Sequence, residues 1–474
     1  MNRNKMISVL TALVLTLTIL AGCGEETGST SSGQSGQTSQ TGKTGQTLSP
    51  SDSGNPSVET NGTAGEPEQD YSWFEMPQET DTLVLYSAGL NTTTINHAVE
   101  IFKKLYPEVN VDWHRLGEDE FVTKIRAEIP AGKGPDLLYA SGSDFSDVYK
   151  TMSTGVFEDL NPYIANDPDF HLDDYITGIM DAGLYRGSRY ILPVSHRSQP
   201  YVTTEEALAE VGCTIDDIRT FSGFLDTANR YKEKYPENNA IVNYARAGYD
   251  ASNLLMFFQC SGFRFIDYDA GEIVLNEERF REMIDYCKSI HGGKTDQKET
   301  KTYEEVKLKK RDCLFLEGPG SPITIEQTWR KIQDFQETPV MITIPDISDG
   351  QTTLIQTIGA IPKGSSNKLN AWRFLKILLS EEIQSNANAL IALFPVNKKA
   401  VRQYLIDGAY FTEKEMGVVD QAEEYLTNFD HAIFYSPLIY QYVRDSMMPY
   451  ITGKDSYEKC LGKLLNKLEL YKDE

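Results

Sequence analysis

Apolar and polar positions divide the chain into three unlike stretches. Met6 to Leu20 is an apolar run, interrupted by Thr11, Thr16 and Thr18 and preceded by Arg3 and Lys5. At about 15 residues it falls short of the ~20 that a membrane-spanning helix needs. A positive start, a short apolar core and the small residues Ala21 and Gly22 make it a secretory signal over residues 1–22. Gly24 to about Asp70 is Ser, Thr, Gly and Gln with almost no large apolar side chain. Such a stretch cannot bury enough surface to offset its ordering entropy. It reads as a flexible linker over residues 23–70, with a root-mean-square span of roughly 40 Å.

From about Thr80 the period changes. Leu83-Val84-Leu85-Tyr86 predicts a buried strand, and Ser87-Ala88-Gly89 a turn. Ala98, Ile101, Phe102 and Leu105 recur at helical spacing until Pro107. Val109, Val111 and Trp113 alternate as a second strand, and Phe121 to Ile129 reads as a helix. Gly132-Lys133-Gly134-Pro135 breaks it ahead of a third strand, Asp136–Tyr139. Strands separated by helices imply an α/β fold with a parallel sheet. Further helices are expected near Thr220–Lys234, Glu277–Ile290, Asn370–Leu379, Asp420–Asn428 and Ser456–Leu470. Further strands are expected at Tyr190–Pro193, Cys313–Leu316, Pro339–Ile344 and Thr353–Ile361. The folded part exceeds the ~250–300 residues at which one core stops growing, so two domains are expected.

The 474 residues carry a net charge of −24, and losing Arg3 and Lys5 makes the chain more acidic still. Binding a phosphate backbone needs clustered Lys and Arg, so nucleic acid is not an expected partner. Charge does not hold such a surface to anionic lipid either. Beyond Cys23, the cysteines are Cys213, Cys260, Cys287, Cys313 and Cys460, with no C-x-x-C spacing and an odd count. Cys287 shares an apolar helical stripe with Phe280, Met283 and Ile284 and reads as a buried thiol. A disulfide stays open, since the cell exterior can be oxidising.

Enzyme signatures fail in turn. The six histidines are dispersed, with no H-E-x-x-H, and no Gly-x-Ser-x-Gly elbow occurs. Gly293-Lys294-Thr295 matches the end of a phosphate loop, but Lys288 stands where the earlier glycine belongs. A helix C-cap at Gly292 is the plainer reading. No catalytic residue, metal site or cofactor is called for. Carboxylate pairs are too common here to exclude a glycosidase by themselves.

Two resemblances sharpen the reading. Leu20-Ala21-Gly22-Cys23 resembles a bacterial lipobox, which implies acylation of Cys23 after cleavage and a tether on the outer face of the cytoplasmic membrane. Segments spread along the folded part resemble the extracellular solute-binding proteins of ABC importers, the family that includes maltose-binding protein. They are Leu83–Gly89 with Phe102–Pro107, Gly134–Leu138, Gly155–Tyr163, Arg189–Val194, Ile358–Asn367 with Ala371–Leu375, and Phe394–Asn397. The resemblance implies two α/β lobes joined by a hinge, with a ligand cleft between them and closure on binding. Residues 80–197 with 354–394 are expected in lobe 1, and 198–353 with 395–474 in lobe 2. A monomer that meets the permease subunits of an importer is the family expectation. One departure concerns the ligand: Glu317-Gly318-Pro319-Gly320-Ser321 stands where maltodextrin binders of the family often carry Gly-x-Trp.

Ligands of open α/β sheets bind beyond the carboxyl ends of strands. Ser87, Gly89 and Asn91 follow the first strand, as ligand contacts or as a turn and cap. Ser141, Ser143 and Asp144 follow the third, where a carboxylate can accept two hydroxyls or cap the next helix. By the resemblance His196 and Arg197 lie at the hinge facing the cleft, Arg197 being able to fork onto a carboxylate or pair across the hinge. Tyr249, Asp250 and Asn253 map to the second lobe's wall, where the tyrosine stacks on a sugar or packs in the core. Glu317, Gly318 and Ser321 follow the strand at Cys313–Leu316, as a close backbone approach or a Pro/Gly turn. The leading expectation is a receptor for a small solute, an oligosaccharide before a peptide or acidic sugar. A secreted glycan-degrading enzyme and a structural surface lipoprotein are the readings from other classes.

Overall fold

Strand β1 (Thr82–Ala88) forms at the first buried run, and the helix after it, α1 (Thr92–Leu105), turns Ile95, Ala98 and Phe102 into the core. Leu105, expected on the same stripe, is exposed at the frayed end beside Lys103 and Lys104. The structure is a computed structural model that describes residues 70–77, 80–89, 92–198, 200–242, 252–290, 311–317, 320–333, 336–391 and 393–473, with only the backbone of 242, 252, 253 and 333. Cys23 and the linker lie outside the described residues. No helix among those described is long and apolar enough to cross a membrane.

The chain continues through β2 (Asn110–Leu116), α2 (Glu118–Glu128), β3 (Leu137–Ser141) and α3 (Val148–Ser153) to β4 (Leu192–Arg197). It then crosses to β5 (Tyr201–Thr204), α4 (Phe221–Lys234), β6 (Ile241–Val242), α5 (Ser252–Cys260) and α6 (Glu277–Ile290). Next come β7 (Phe315–Glu317), α7 (Pro322–Gln333) and β8 (Pro339–Ile342). It returns in β9 (Thr352–Ala360), α8 (Lys368–Leu379), β10 (Phe394–Pro395), α9 (Lys398–Gly408), α10 (Met416–Thr427) and β11 (His431–Phe434). Helices α11 (Pro437–Ile451) and α12 (Tyr457–Asp473) close the chain.

Two large sheets result, beside two small two-stranded ones. The first runs β10-β4-β9-β3-β1-β2, with β11 added beside β9; the second runs β8-β5-β7-β6. Strands β1, β2 and β3 are parallel, as the alternating pattern predicts. Strand β9 is antiparallel to β3 and β4, so the sheet is mixed. The reason is topological: β9 enters from the second sheet, at the end toward which β1 and β3 run.

Each sheet has its own buried core. The first gathers Leu85, Phe102, Leu138, Phe157, Trp372 and Tyr404; the second gathers Phe224, Tyr231, Phe257, Phe280, Val443 and Leu464. Each large side chain buried this way contributes roughly 1.5–3 kcal/mol. Two cores served by two sheets are the two lobes of a periplasmic-binding-protein-like fold.

The strands pass from one lobe to the other between β4 and β5, between β8 and β9, and after β11. The last crossing is later than the expected one at Phe394–Asn397. That segment is instead an edge strand on β4, and Asn397 caps α9 through the Lys399 N–H. Val401, Leu405, Val419, Leu426 and Phe434 accordingly belong to the first core, and the second resumes at Ile439. Helix α7 also sends Ile325 and Trp329 into the first core, although β7 before it belongs to the second sheet.

The Gly134-Pro135-Asp136 signature is a structural lock. Asp136 accepts the Val84 N–H through Oδ2 at 2.9 Å. Through Oδ1 it accepts the Ser366 and Asn367 N–H groups and the Ser365 hydroxyl. One buried carboxylate thus ties β1 to the turn that starts α8. Gly364 lies so close to Gly132 that a side chain there would press on the Gly132 Cα.

Candidate functional site

The turn after β3 carries the densest polar cluster at a strand end. Ser141 Oγ meets Ser143 Oγ at 2.8 Å, and Asp144 Oδ2 accepts the Ser141 N–H at 2.7 Å. This closes a reciprocal capping box over Gly142–Asp144. The cap reading of Asp144 therefore holds for one oxygen, while the other has no partner among the described residues. Burial raises the Asp144 pKa to about 6, against the lowering effect of the Ser141 N–H, and Glu118 adds to the rise. Residue 142 is tightly packed: a Cβ there would meet the Phe434 ring at 3.2 Å.

Other expected contacts scatter around this turn. Gly89 follows β1, and its carbonyl accepts from Arg115 at 3.4 Å. Arg197 is exposed at the end of β4, opposite Leu354. Glu317 ends β7 opposite Tyr201, just after the first crossing. Ser321 begins the turn into α7, its hydroxyl 3.0 Å from that of Thr324. Asn91, Tyr249, Asp250 and Gly318 lie outside the described residues, as does the side chain of Asn253.

Two expectations are corrected. Ser87 is buried, and its Oγ accepts the indole N–H of Trp113 at 2.9 Å, so its hydroxyl is turned into the lobe. His196 is fully buried: Nδ1 lies 3.0 Å from Thr353 Oγ1, and its ring sits between those of Phe394 and Phe429. Burial lowers its pKa to about 3. Strand β4 is buried along its length and only its last residue, Arg197, is exposed, so His196 lies inside the lobe.

A further cluster joins the two lobes, and no local spacing announces it. Asp147, buried ahead of α3, accepts the hydroxyl of Tyr268 from the second lobe. The Arg264 guanidinium lies 4.9 Å from the Tyr149 ring centre. Lys150 Nζ donates to the Tyr471 carbonyl at 2.8 Å, and Ser436 Oγ to that of Ser146 at 3.0 Å. A cavity of about 50 Å³ remains between the lobes here, lined by Tyr149, Phe258, Phe263, Tyr268, Phe434 and Tyr435 among others. A larger one, about 220 Å³, lies under the Asp144 turn between α2 and α3. Among the described residues no three His, Cys, Asp or Glu side chains are grouped to hold a metal ion.

A two-lobed α/β receptor fold with polar turns at its strand ends is the architecture of solute-binding proteins. Residues 87–385 match the model of the bacterial extracellular solute-binding protein family, and the chain belongs to that family. Solved structures agree on the fold. The sugar-binding protein MalE from Xanthomonas citri shares 16% identity over 83% of this chain and 97% of its own, with a TM-score of 0.59. The cyclic alpha-maltosyl-1,6-maltose binding protein from Arthrobacter globiformis shares 15% over 82% and 98%, with a TM-score of 0.54. A family 1 extracellular solute-binding protein from Alicyclobacillus acidocaldarius shares 15% over 84% and 100%, also at 0.54. The family and these structural neighbours are binding proteins, not enzymes.

Proposed function

We propose that this chain is a lipid-anchored receptor on the outer face of the bacterial cytoplasmic membrane. It captures a neutral oligosaccharide between its lobes and passes it to the permease of an ABC importer. The observation that carries the reading is the Ser141–Asp144 turn, which sets hydroxyls and a carboxylate at the end of a strand, in a chain that folds around two separate cores. Such groups accept and donate to sugar hydroxyls. The candidate contacts include two carboxylates, Asp144 and Glu317, which favours a neutral solute over an anionic one. The sugar ligands named for two of the structural neighbours point the same way.

Cys23 carries two acyl chains, enough for stable anchoring where one is marginal. The linker after it lets the folded part reach a permease. The ligand contacts are Gly89, Asn91, Ser141, Ser143, Asp144, Arg197, Tyr249, Asp250, Asn253, Glu317, Gly318 and Ser321, and the receptor works as a monomer.

The test is thermal unfolding of the chain from residue 23 with Cys23→Ser, against neutral oligosaccharides, uronic-acid oligomers and short peptides. A ligand at 100 times its dissociation constant adds about 2.7 kcal/mol. A saturable shift with neutral oligosaccharides supports the reading. A shift with the acidic oligomers or peptides alone moves the specificity to Arg197, and no shift contradicts it.

A further inference from the structure

We propose that Gln356, in the middle of β9, touches the ligand and sets which neutral saccharide is accepted. The inference rests on the receptor reading above and assigns a residue that the strand-end survey of the sequence did not reach.

The first observation is topological. Strands β3 and β11 lie on the same side of β9, the other side being occupied by β4. They run in opposite directions. The last residue of β3, Ser141, stands opposite Thr357, and the last of β11, Phe434, stands opposite Ile355. Two carboxyl ends therefore converge on the single position between them, Gln356. Ligands of open α/β sheets bind beyond the carboxyl ends of strands.

The second observation is a bulge. On the β4 side Ile355 pairs with His196 and Thr357 with the adjacent Ser195, so Gln356 is an extra residue with no partner in either ladder. Bulges break strand alternation and re-aim a side chain. The burial shows the result: Gln356 is the one residue of the nine in β9 that is not buried.

The third observation is chemical. Gln356 Nε2 donates to Ser141 Oγ at 3.2 Å, which joins the carboxamide to the polar turn. Its Oε1 and second N–H have no partner among the described residues. A neighbouring donor and acceptor match two adjacent sugar hydroxyls, and neither bears a charge that would select an ion. A site built to hydrogen-bond a hydroxyl rejects solutes that misplace it.

The experiment is calorimetric titration of the chain from residue 23 with Cys23→Ser, alone and with Gln356→Ala, Gln356→Glu or Ser141→Ala. The probes are maltotriose, cellotriose, xylotriose and raffinose. Gln356→Ala is expected to weaken the best wild-type saccharide about tenfold and to change its affinity ratios to the others. Gln356→Glu keeps an acceptor in place of both N–H donors and is expected to shift those ratios differently. If Gln356 only props the Ser141 turn, every affinity falls by one factor and Ser141→Ala reproduces it. That result, or unchanged binding, overturns the inference while leaving the receptor reading intact. Failure of the wild type to bind any of the four overturns both. If Gln356→Ala does not fold, the Gln356→Glu ratios decide, with unfolding midpoints as the control.

Discussion

The hydroxyl of Tyr268 in the second lobe donates to the buried carboxylate of Asp147 in the first. This contact joins the two lobes beside the last crossing, where Ser436 also reaches back to Ser146. Burial raises the Asp147 pKa, and the Tyr268 hydroxyl opposes that rise. Tyr268→Phe leaves the buried carboxylate without this donor. The expected cost is ~1–3 kcal/mol, read as a lower urea midpoint at neutral pH.

Asp144 makes stability depend on pH. Its folded-state pKa of about 6 stands above the ordinary 3.8. Between those values the folded protein holds a proton that the unfolded chain has released. The contribution of this group is therefore full below the unfolded value and lost as pH rises through about 6. Asp144→Asn is expected to flatten the stability profile across that window, measured by urea unfolding at a series of pH values.

Asp136 is a buried carboxylate whose oxygens serve Val84, Ser365, Ser366 and Asn367. Asp136→Ala leaves several donors unmet, each worth ~1–3 kcal/mol. The expected outcome is loss of more than about 3 kcal/mol or failure to fold. Circular dichroism with urea unfolding reads either result.

The five cysteines beyond Cys23 are buried thiols. Burial pushes the Cys287 thiol up to about 12, which suppresses the reactive thiolate. A thiol reagent is expected to find almost none of them in the native Cys23→Ser protein and all five after denaturation. Fewer thiols in the unfolded protein mean that a disulfide forms.

Much of the first lobe was legible because period and punctuation agreed. Leu83–Tyr86, the break at Gly132–Pro135 and the strand at Asp136–Tyr139 all fall within a residue or two of β1 and β3. The last crossing was misplaced because an edge strand at Phe394–Pro395 and a hinge strand have the same apolar signature. The resemblance puts His196 at the cleft, but β4 is buried up to its last residue, Arg197, and no local pattern marks where that burial ends. The Tyr268–Asp147 contact joins residues far apart in sequence, and no local spacing announces such a pair. Gln356 did leave a trace, as the one carboxamide in Leu354-Ile355-Gln356-Thr357-Ile358. Its meaning needed the register of three neighbouring strands.

The most direct measurement is calorimetric titration of the Cys23→Ser chain with neutral oligosaccharides, followed by chromatography of the recovered sugar. The account predicts one saturable site for one saccharide class and a sugar recovered unchanged. Saturable binding to none of them, or a sugar cleaved during the titration, would contradict the receptor reading.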